Sequence, residues 1–452
     1  MGFFMHLTLQ LYHGGEWHDA ATLTLRDPAL GAKGPSTVSY EPGYFSEHGA
    51  IPLSEGRSLV DARAVSVLCP VDLEDRYYDR SWPPFLLDLM PQGHARRKLS
   101  DHLGLNPDSA ASEIHLLLHG AGAPVGNLRI KEAADREADR LRDAPRIGVT
   151  RDDILDKTPV FQEVADRYAM IASGSSGLQG EWPKIAMARG RDGLWYPDPV
   201  IPDGEATGHV IVKLLRSAQA SDRLILEGEA AYAAVAQDFG VNVHGLPTYR
   251  EGVLVMPRFD RAQGRGGLIR KGQESLVSAI GVSAYGHLEA HETYLAMIRS
   301  VSTDPFKDVL EYLRRDVLNL SMGNPDNHGR NTALAKDPSG RIALTPLYDF
   351  APMRVAPSDT GRPTKWACMR SAGRDHNPDW SAVCEVAAGD ELDPEALASA
   401  LAEDAERVRG LEEAARRHGV PEEVIERAIG DRPVDISDGL AALAKRDRRH
   451  GR

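Results

Sequence analysis

The sequence predicts an α+β fold, and three observations carry that expectation. Near the N-terminus, Leu7-Thr8-Leu9-Gln10-Leu11 and Ala21-Thr22-Leu23-Thr24-Leu25 alternate with period two, as half-buried strands do. In the middle, His209-Val210-Ile211-Val212-Lys213 reads as a buried strand, and an Ala-rich helix over 224–239 follows it. Beyond it the spacing turns helical, with Leu295 and Ile298, then Val309, Leu310, Leu313, Val317 and Leu320. Those positions read as core rather than as a site.

With 452 residues the chain can bury a large core and divide into two or three domains. A net charge of −13 argues against a protein that coats nucleic acid by itself. The basic run from Lys445 to Arg452 reads first as a solvated terminus and only second as a nucleic-acid contact. Cys69, Cys368 and Cys384 are scattered and odd in number, which indicates neither a disulfide framework nor a zinc site. No apolar run approaches a membrane span, and the N-terminus reads as a first strand rather than a signal peptide. A cytoplasmic protein with no membrane contact is expected.

Taken in order, residues 1–130 form a first α+β block. Gly93 to Leu103 is a predicted helix stopped by Gly104, and Ser112 to Gly120 is another. Residues 131–151 are highly charged and poor in large apolar side chains, so they read as a linker or an exposed helix. Residues 152–262 and 263–452 follow as two further parts. The first of these contains a Gly/Ser stretch, Ala172 to Lys184, before the strand-like Ile185-Ala186-Met187-Ala188. Small residues let backbone N–H groups face a phosphate, and Lys184 adds charge. A flexible surface loop is the competing reading.

Lys213 then closes its strand. An exposed terminal lysine is the ordinary reading, but a lysine on a strand after a glycine loop is also where a kinase grips nucleotide phosphates. The helix over 224–239 offers Glu227 and Glu229, and Gly240 ends it. Leu254 to Arg261 reads as a strand running into a polar segment. From Pro394 onward two amphipathic helices are expected.

The stretch from Asn319 to Phe350 carries the chemistry. Asp326 is followed at +5 by Asn331, and Asp349 comes eighteen residues later, after the strand-like Ile342-Ala343-Leu344. Phosphoryl transfer needs a carboxylate to accept a hydroxyl proton and two oxygen ligands to hold Mg²⁺. The Asp-to-Asn spacing is the one protein kinases use. Gly-Asn-Pro-Asp-Asn-His-Gly is also good turn chemistry, and a plain turn is the alternative.

The order of these motifs resembles that of the HipA family, the toxin kinases of bacterial toxin–antitoxin pairs. The similarity runs through PFLLDLMPQGHARRKLSDHLGL and HGAGAPVGNLRI, the Gly/Ser loop with Gln179 and Lys184, VIVK, the helix with Glu229, and RFDR. It continues through Gln273 to Leu276, Ala279-Ile280-Gly281, GNPDNHGRN and LTPLYDF. The chain departs from the family where Gly180-Glu181-Trp182 intervenes before Pro183-Lys184.

The resemblance implies a two-lobed kinase-like domain with a largely helical C-terminal lobe behind the N-terminal block. It implies Asp326 as catalytic base, Asn331 and Asp349 as Mg²⁺ ligands, and Lys213 on the ATP phosphates. Ser176, Gly177, Gln179 and Lys184 would belong to a loop closing over those phosphates, with Glu229 supporting Lys213. Phe259 and Asp260, after Arg258, would lie against adenine and ribose. A loop serine, with Ser176 and Ser175 ahead of Ser173, would be autophosphorylated, placing charge where ATP phosphates must lie. The implied activity is serine/threonine protein kinase, with an aminoacyl-tRNA synthetase as target class. The implied partner is a HipB-like helix-turn-helix antitoxin, through which alone DNA would be met. The alternative is a binding module of the same fold, acting as corepressor of such an antitoxin.

Overall fold

Two glycines set the first hairpin. Strands β1 (Phe4–His13) and β2 (Glu16–Arg26) are joined by Gly14 and Gly15, whose φ values of 65° and 97° are those a two-residue hairpin turn requires. The register pairs Leu7 with Leu23 and Leu9 with Ala21, and a bulge follows at Leu9/Gln10. Strand β3 (Ser36–Tyr40), helix α1 (Pro42–His48), strand β4 (Arg76–Tyr78), helices α2 (Gly93–Leu103) and α3 (Ala110–Gly120) and strand β5 (Leu128–Ile130) come next. The five strands form an antiparallel sheet ordered β4-β3-β2-β1-β5. Leu7, Leu9, Leu11, Leu23 and Leu25 pack with Trp82, Phe85, Leu99 and Leu116 in one core. The computed structural model describes residues 4–142, 144–175, 182–265, 267–357, 361–372 and 376–450.

The charged stretch 131–151, expected as a linker or an exposed helix, opens with helix α4 (Lys131–Leu141), packed on β1 and α3. Only Ala133 and Glu137, four residues apart, turn inward. The Glu132 carboxylate adds an anchor, accepting hydrogen bonds from the Thr8 amide at 3.0 Å and the Thr8 hydroxyl at 3.0 Å. Helix α5 (Pro159–Ser175) then runs through Ser173, Gly174 and Ser175, which the composition predicts as part of the Gly/Ser loop.

Strands β6 (Lys184–Arg189), β7 (Trp195–Pro197) and β8 (Gly208–Leu214), helix α6 (Ala220–Phe239), and strands β9 (Thr248–Arg250) and β10 (Val253–Pro257) follow. The sheet order here runs β7-β6-β8-β10. Then come β11 (Arg261–Gly264), β12 (Gly267–Arg270), β13 (Gly272–Ser275), helices α7 (His291–Val301) and α8 (Pro305–Ser321), and strands β14 (Ala333–Lys336) and β15 (Ile342–Leu344). By its internal contacts the chain forms two compact units, each built from three stretches. The first is Met1–Arg216, Val255–Tyr285 and Leu334–Ile342; the second is Ser217–Leu254, Gly286–Ala333 and Ala343–Arg452.

The second unit ends in helices α9 (Trp380–Ala388), α10 (Pro394–Ala402), α11 (Ala405–Arg409), α12 (Leu411–Arg417) and α13 (Arg432–His450). A single helix was expected over 396–419, and the chain breaks it at Asp404 and Gly410. Asp404 is fully buried and turns its carboxylate to Arg314 Nε at 2.7 Å and to Arg407. Satisfying that buried charge outweighs helix continuity.

Candidate functional site

In the second unit, helix α8 leads straight into the loop that presents the predicted catalytic residues. Gly323 makes the turn at φ 67°, where any side chain would collide with the Ala428 carbonyl. Asn324 is buried and clamps the loop to the helix: its amide nitrogen donates to Asn319 Oδ1 at 2.9 Å and its backbone N–H to the Asn319 carbonyl at 2.9 Å. Its Oδ1 in turn accepts from the Asp326 N–H at 3.2 Å, which sets where Asp326 begins. The Asp326 carboxylate is 37% exposed and lies 3.4 Å from His328 Nε2.

Asn331 closes the loop. Its amide nitrogen donates to the Asp326 carbonyl at 3.0 Å, so Oδ1 is the atom it has to offer a cation. Asp349 follows β15 with φ 51°, a left-handed conformation that few residues other than glycine adopt and that Asp tolerates. The anchors on either side explain why it persists. Tyr348 donates its hydroxyl to the Arg330 carbonyl at 2.9 Å, and Phe350 packs on Tyr232 of α6 with ring centroids 5.2 Å apart. Asp326, Asn331 and Asp349 thus line one depression of about 420 Å³. Two carboxylates and an amide oxygen around one opening suit a hard cation and a proton acceptor.

Three lining residues escaped the sequence reading. Asn319 and Asn324 are the clamp, and an Asn in the last helical turn five residues before another Asn was the available signal. Asp316, one turn earlier on α8, is buried against Arg362, the Trp366 Nε1 at 2.9 Å and His291 Nε2 at 3.6 Å. Burial alone would raise its carboxyl, but the Arg362 guanidinium and His291 outweigh that and hold it below the usual range. Burial pushes His291 down to about 4, with Asp316 pulling the other way. Asp316 is therefore an ionised support beneath the depression.

In the first unit, Lys213 on β8 is 3% exposed and stands opposite Lys184 on β6. Directly opposed residues share a sheet face, so both lysines project the same way. Trp182, from the family-divergent insertion, is buried with its ring centre 5.3 Å from Lys213 Nζ and 5.1 Å from the Arg216 guanidinium. Trp182 thereby supplies an aromatic wall to Lys213 and Arg216. Glu229 is buried on α6, in the second unit. Ser176, Gly177 and Gln179 lie outside the described residues, as do the side chains of Ser173 and Ser175.

Asp260 differs from expectation. Its carboxylate is buried and accepts from Arg258 Nε at 2.9 Å, Arg258 Nη2 at 2.7 Å, Arg261 Nη1 at 2.5 Å and the Gly126 amide at 2.8 Å. Arg258 also reaches Asp198, itself paired with His209. With both oxygens committed, Asp260 is the hub of an internal ion network rather than a group turned to a ribose. Phe259 lies half-buried between them.

The HipA-like C-terminal domain family matches residues 176–411, over half of the chain. Among curated proteins, the chain is 28% identical over 289 residues to the "Putative kinase Y4mE" of Sinorhizobium fredii, covering 60% of this chain and 64% of that protein. It therefore spans just under two thirds of that relative's length. It is 24% identical over 371 residues to the "Putative kinase Y4dM" of the same organism, covering 76% and 79%. A chain of the Shewanella oneidensis MR-1 toxin–antitoxin complex of HipA, HipB and its operator DNA shares the fold, with a TM-score of 0.55 at 16% identity over 97% of each chain. With the family match spanning the lysine strand, the loop after α8 and Asp349, the chain belongs to the HipA family.

Proposed function

We propose that the chain is an ATP- and Mg²⁺-dependent serine/threonine protein kinase. The observation that carries this reading is the meeting of Asp326, Asn331 and Asp349 around one depression. Asp326, half exposed, is placed to take the proton of a substrate hydroxyl as its oxygen bonds to the γ-phosphorus and the bond to the ADP oxygen breaks. Asn331 Oδ1 and the Asp349 carboxylate would hold Mg²⁺, which when bound would offset charge on the phosphates. Lys213, with Lys184 on the same face, contacts the nucleotide phosphates. As in the family, the substrate is a translation component of the aminoacyl-tRNA synthetase class, and a serine among Ser173, Ser175 and Ser176 is autophosphorylated. A HipB-like helix-turn-helix antitoxin is the partner, supported by the solved relative that shares the fold and stands in a complex with HipB and operator DNA.

Incubation of the full chain with labelled ATP and Mg²⁺, alone and with bacterial lysate, tests the reading. Label should enter the chain itself and a synthetase. Mg·ATP should raise the melting temperature, because a ligand bound only to the folded state stabilises it by mass action. Asp349→Asn should abolish that shift by removing a charged metal ligand. No transfer and no stabilisation by Mg·ATP would reject the kinase reading.

A further inference from the structure

The N-terminal block holds a histidine cluster that phosphoryl transfer does not use. His13 ends β1, His18 lies on β2 just past the two-glycine turn, and His48 is the last residue of α1. The His13 and His18 rings stack with centroids 4.0 Å apart, and His48 stands edge-on to them at 4.6 and 5.2 Å. One ring nitrogen of each lies within 4.8 Å of the other two, and this is the one such group among the described residues.

The surrounding hydrogen bonds decide which nitrogens are free. His13 Nε2 is 3.0 Å from the Tyr44 hydroxyl, whose own proton goes to the Arg63 carbonyl at 2.7 Å. Nε2 of His13 is therefore the donor, and Nδ1 keeps its lone pair. His18 Nε2 is 3.1 Å from the His13 carbonyl, an acceptor only, so His18 also keeps its lone pair on Nδ1. His48 Nε2 is enclosed and has no hydrogen-bond partner among the described residues. Burial, then His18 and His48, push the His13 imidazole down to about 3, and burial lowers His48 as well.

We propose that His13, His18 and His48 bind one divalent transition-metal cation of the zinc class, which ties the β1–β2 turn to the end of α1. Three imidazole nitrogens are a zinc donor set, unlike the all-oxygen set at Asp326, Asn331 and Asp349. The fourth position is left to water or to Glu47, whose Oε2 is 3.6 Å from His48 Nε2. Tetrahedral zinc with bonds of about 2.1 Å needs nitrogens about 3.4 Å apart and each ring edge-on to the ion, so the stacked His13 and His18 rings turn out of their stack on binding. His13 is fixed by Tyr44, whereas the side chains of His18 and His48 are 22% and 20% exposed and supply the movement. The hydrogen bond from His13 to Tyr44 is the kind of outer contact that orients a metal-ligating histidine.

The test uses the full chain stripped with a chelator and titrated with Co²⁺ and then Zn²⁺. One equivalent of Co²⁺ should give the strong visible bands of a four-coordinate site, and Zn²⁺ should bleach them while millimolar Mg²⁺ does not. His18→Gln and His48→Gln should each weaken Zn²⁺ binding at least about tenfold, given that even outer contacts are worth that much. Asp349→Asn should leave Zn²⁺ binding unchanged. Should either histidine variant lose its far-ultraviolet dichroism, Tyr44→Phe serves instead, since it removes only the oxygen that orients His13 and should also weaken Zn²⁺. Absence of one-to-one binding, a weak six-coordinate cobalt spectrum, or affinity unmoved by the histidine substitutions would overturn the site.

Discussion

Asp260→Asn separates a nucleotide contact from an internal ion pair. The amide has the size of the carboxylate, so no cavity opens and the cost is one of charge. Its NH₂ group would meet donors where the carboxylate accepts from Arg258, Arg261 and the Gly126 amide. Asp198 would remain as the carboxylate paired with Arg258. Removing one partner of a buried pair costs about 3–5 kcal/mol. Arg261 keeps its bonds to the Gly126 and Pro124 carbonyls at 2.8 and 2.9 Å, which places the expected loss near the lower figure. At about 1.4 kcal/mol per decade, that is about a hundredfold in the folding equilibrium. Burial alone would raise the Asp260 carboxyl, but Arg258 and then Arg261 outweigh it and hold it low. A depressed carboxyl contributes fully above its unfolded value of about 3.9 and loses that contribution as pH falls. The gap to wild type should therefore be complete at pH 7 and narrow in acid. Urea unfolding followed by circular dichroism measures it, and calorimetry with Mg·ATP on the folded variant supplies the contrast. Wild-type stability with collapsed nucleotide affinity would refute the network reading and restore Asp260 to the ribose.

Asp326→Asn should lower phosphoryl transfer by about 10²- to 10⁴-fold while calorimetry shows Mg·ATP binding largely retained, since the metal ligands lie elsewhere. Asn324→Ala removes the acceptor of the Asp326 N–H and the donor to Asn319, and should lower unfolding free energy by about 1–3 kcal/mol in a denaturant titration. Replacing Ser173, Ser175 and Ser176 together by Ala should prolong activity during incubation with Mg·ATP, and intact-mass spectrometry should show no phosphate gained on that segment.

Where one physical signal dominated, the sequence was a good guide. Alternation across Leu7–Leu11 and Ala21–Leu25 located β1 and β2, and Gly104 and Gly240 ended their helices at φ 64° and 98°. It failed where a few buried polar groups overrode composition. Residues 131–141 read equally as a linker or an exposed helix because only Ala133 and Glu137 turn inward, and the bond of Glu132 to Thr8 anchors the helix that forms. The expected long helix after Pro394 breaks at Asp404 because that carboxylate is needed by Arg314, ninety residues earlier. Partners so distant leave no local trace.

The same contrast runs through the candidate site. Asp326, Asn331 and Asp349 stood out by residue type and spacing, and the fold brings all three to one opening. The residues that hold them there obey looser rules. Asn324 could be read as one more turn former, and only its two bonds to Asn319 show that the turn is bolted to α8. RFDR was read as a nucleotide motif, yet the same arginine and aspartate are consumed by Asp198, Gly126 and each other. A motif's order in the chain is thus compatible with two roles for its charged residues, facing a ligand or bracing the framework. Burial and committed hydrogen bonds distinguish them: Asp326 is 37% exposed at the depression, whereas Asp260 is enclosed by two guanidinium groups.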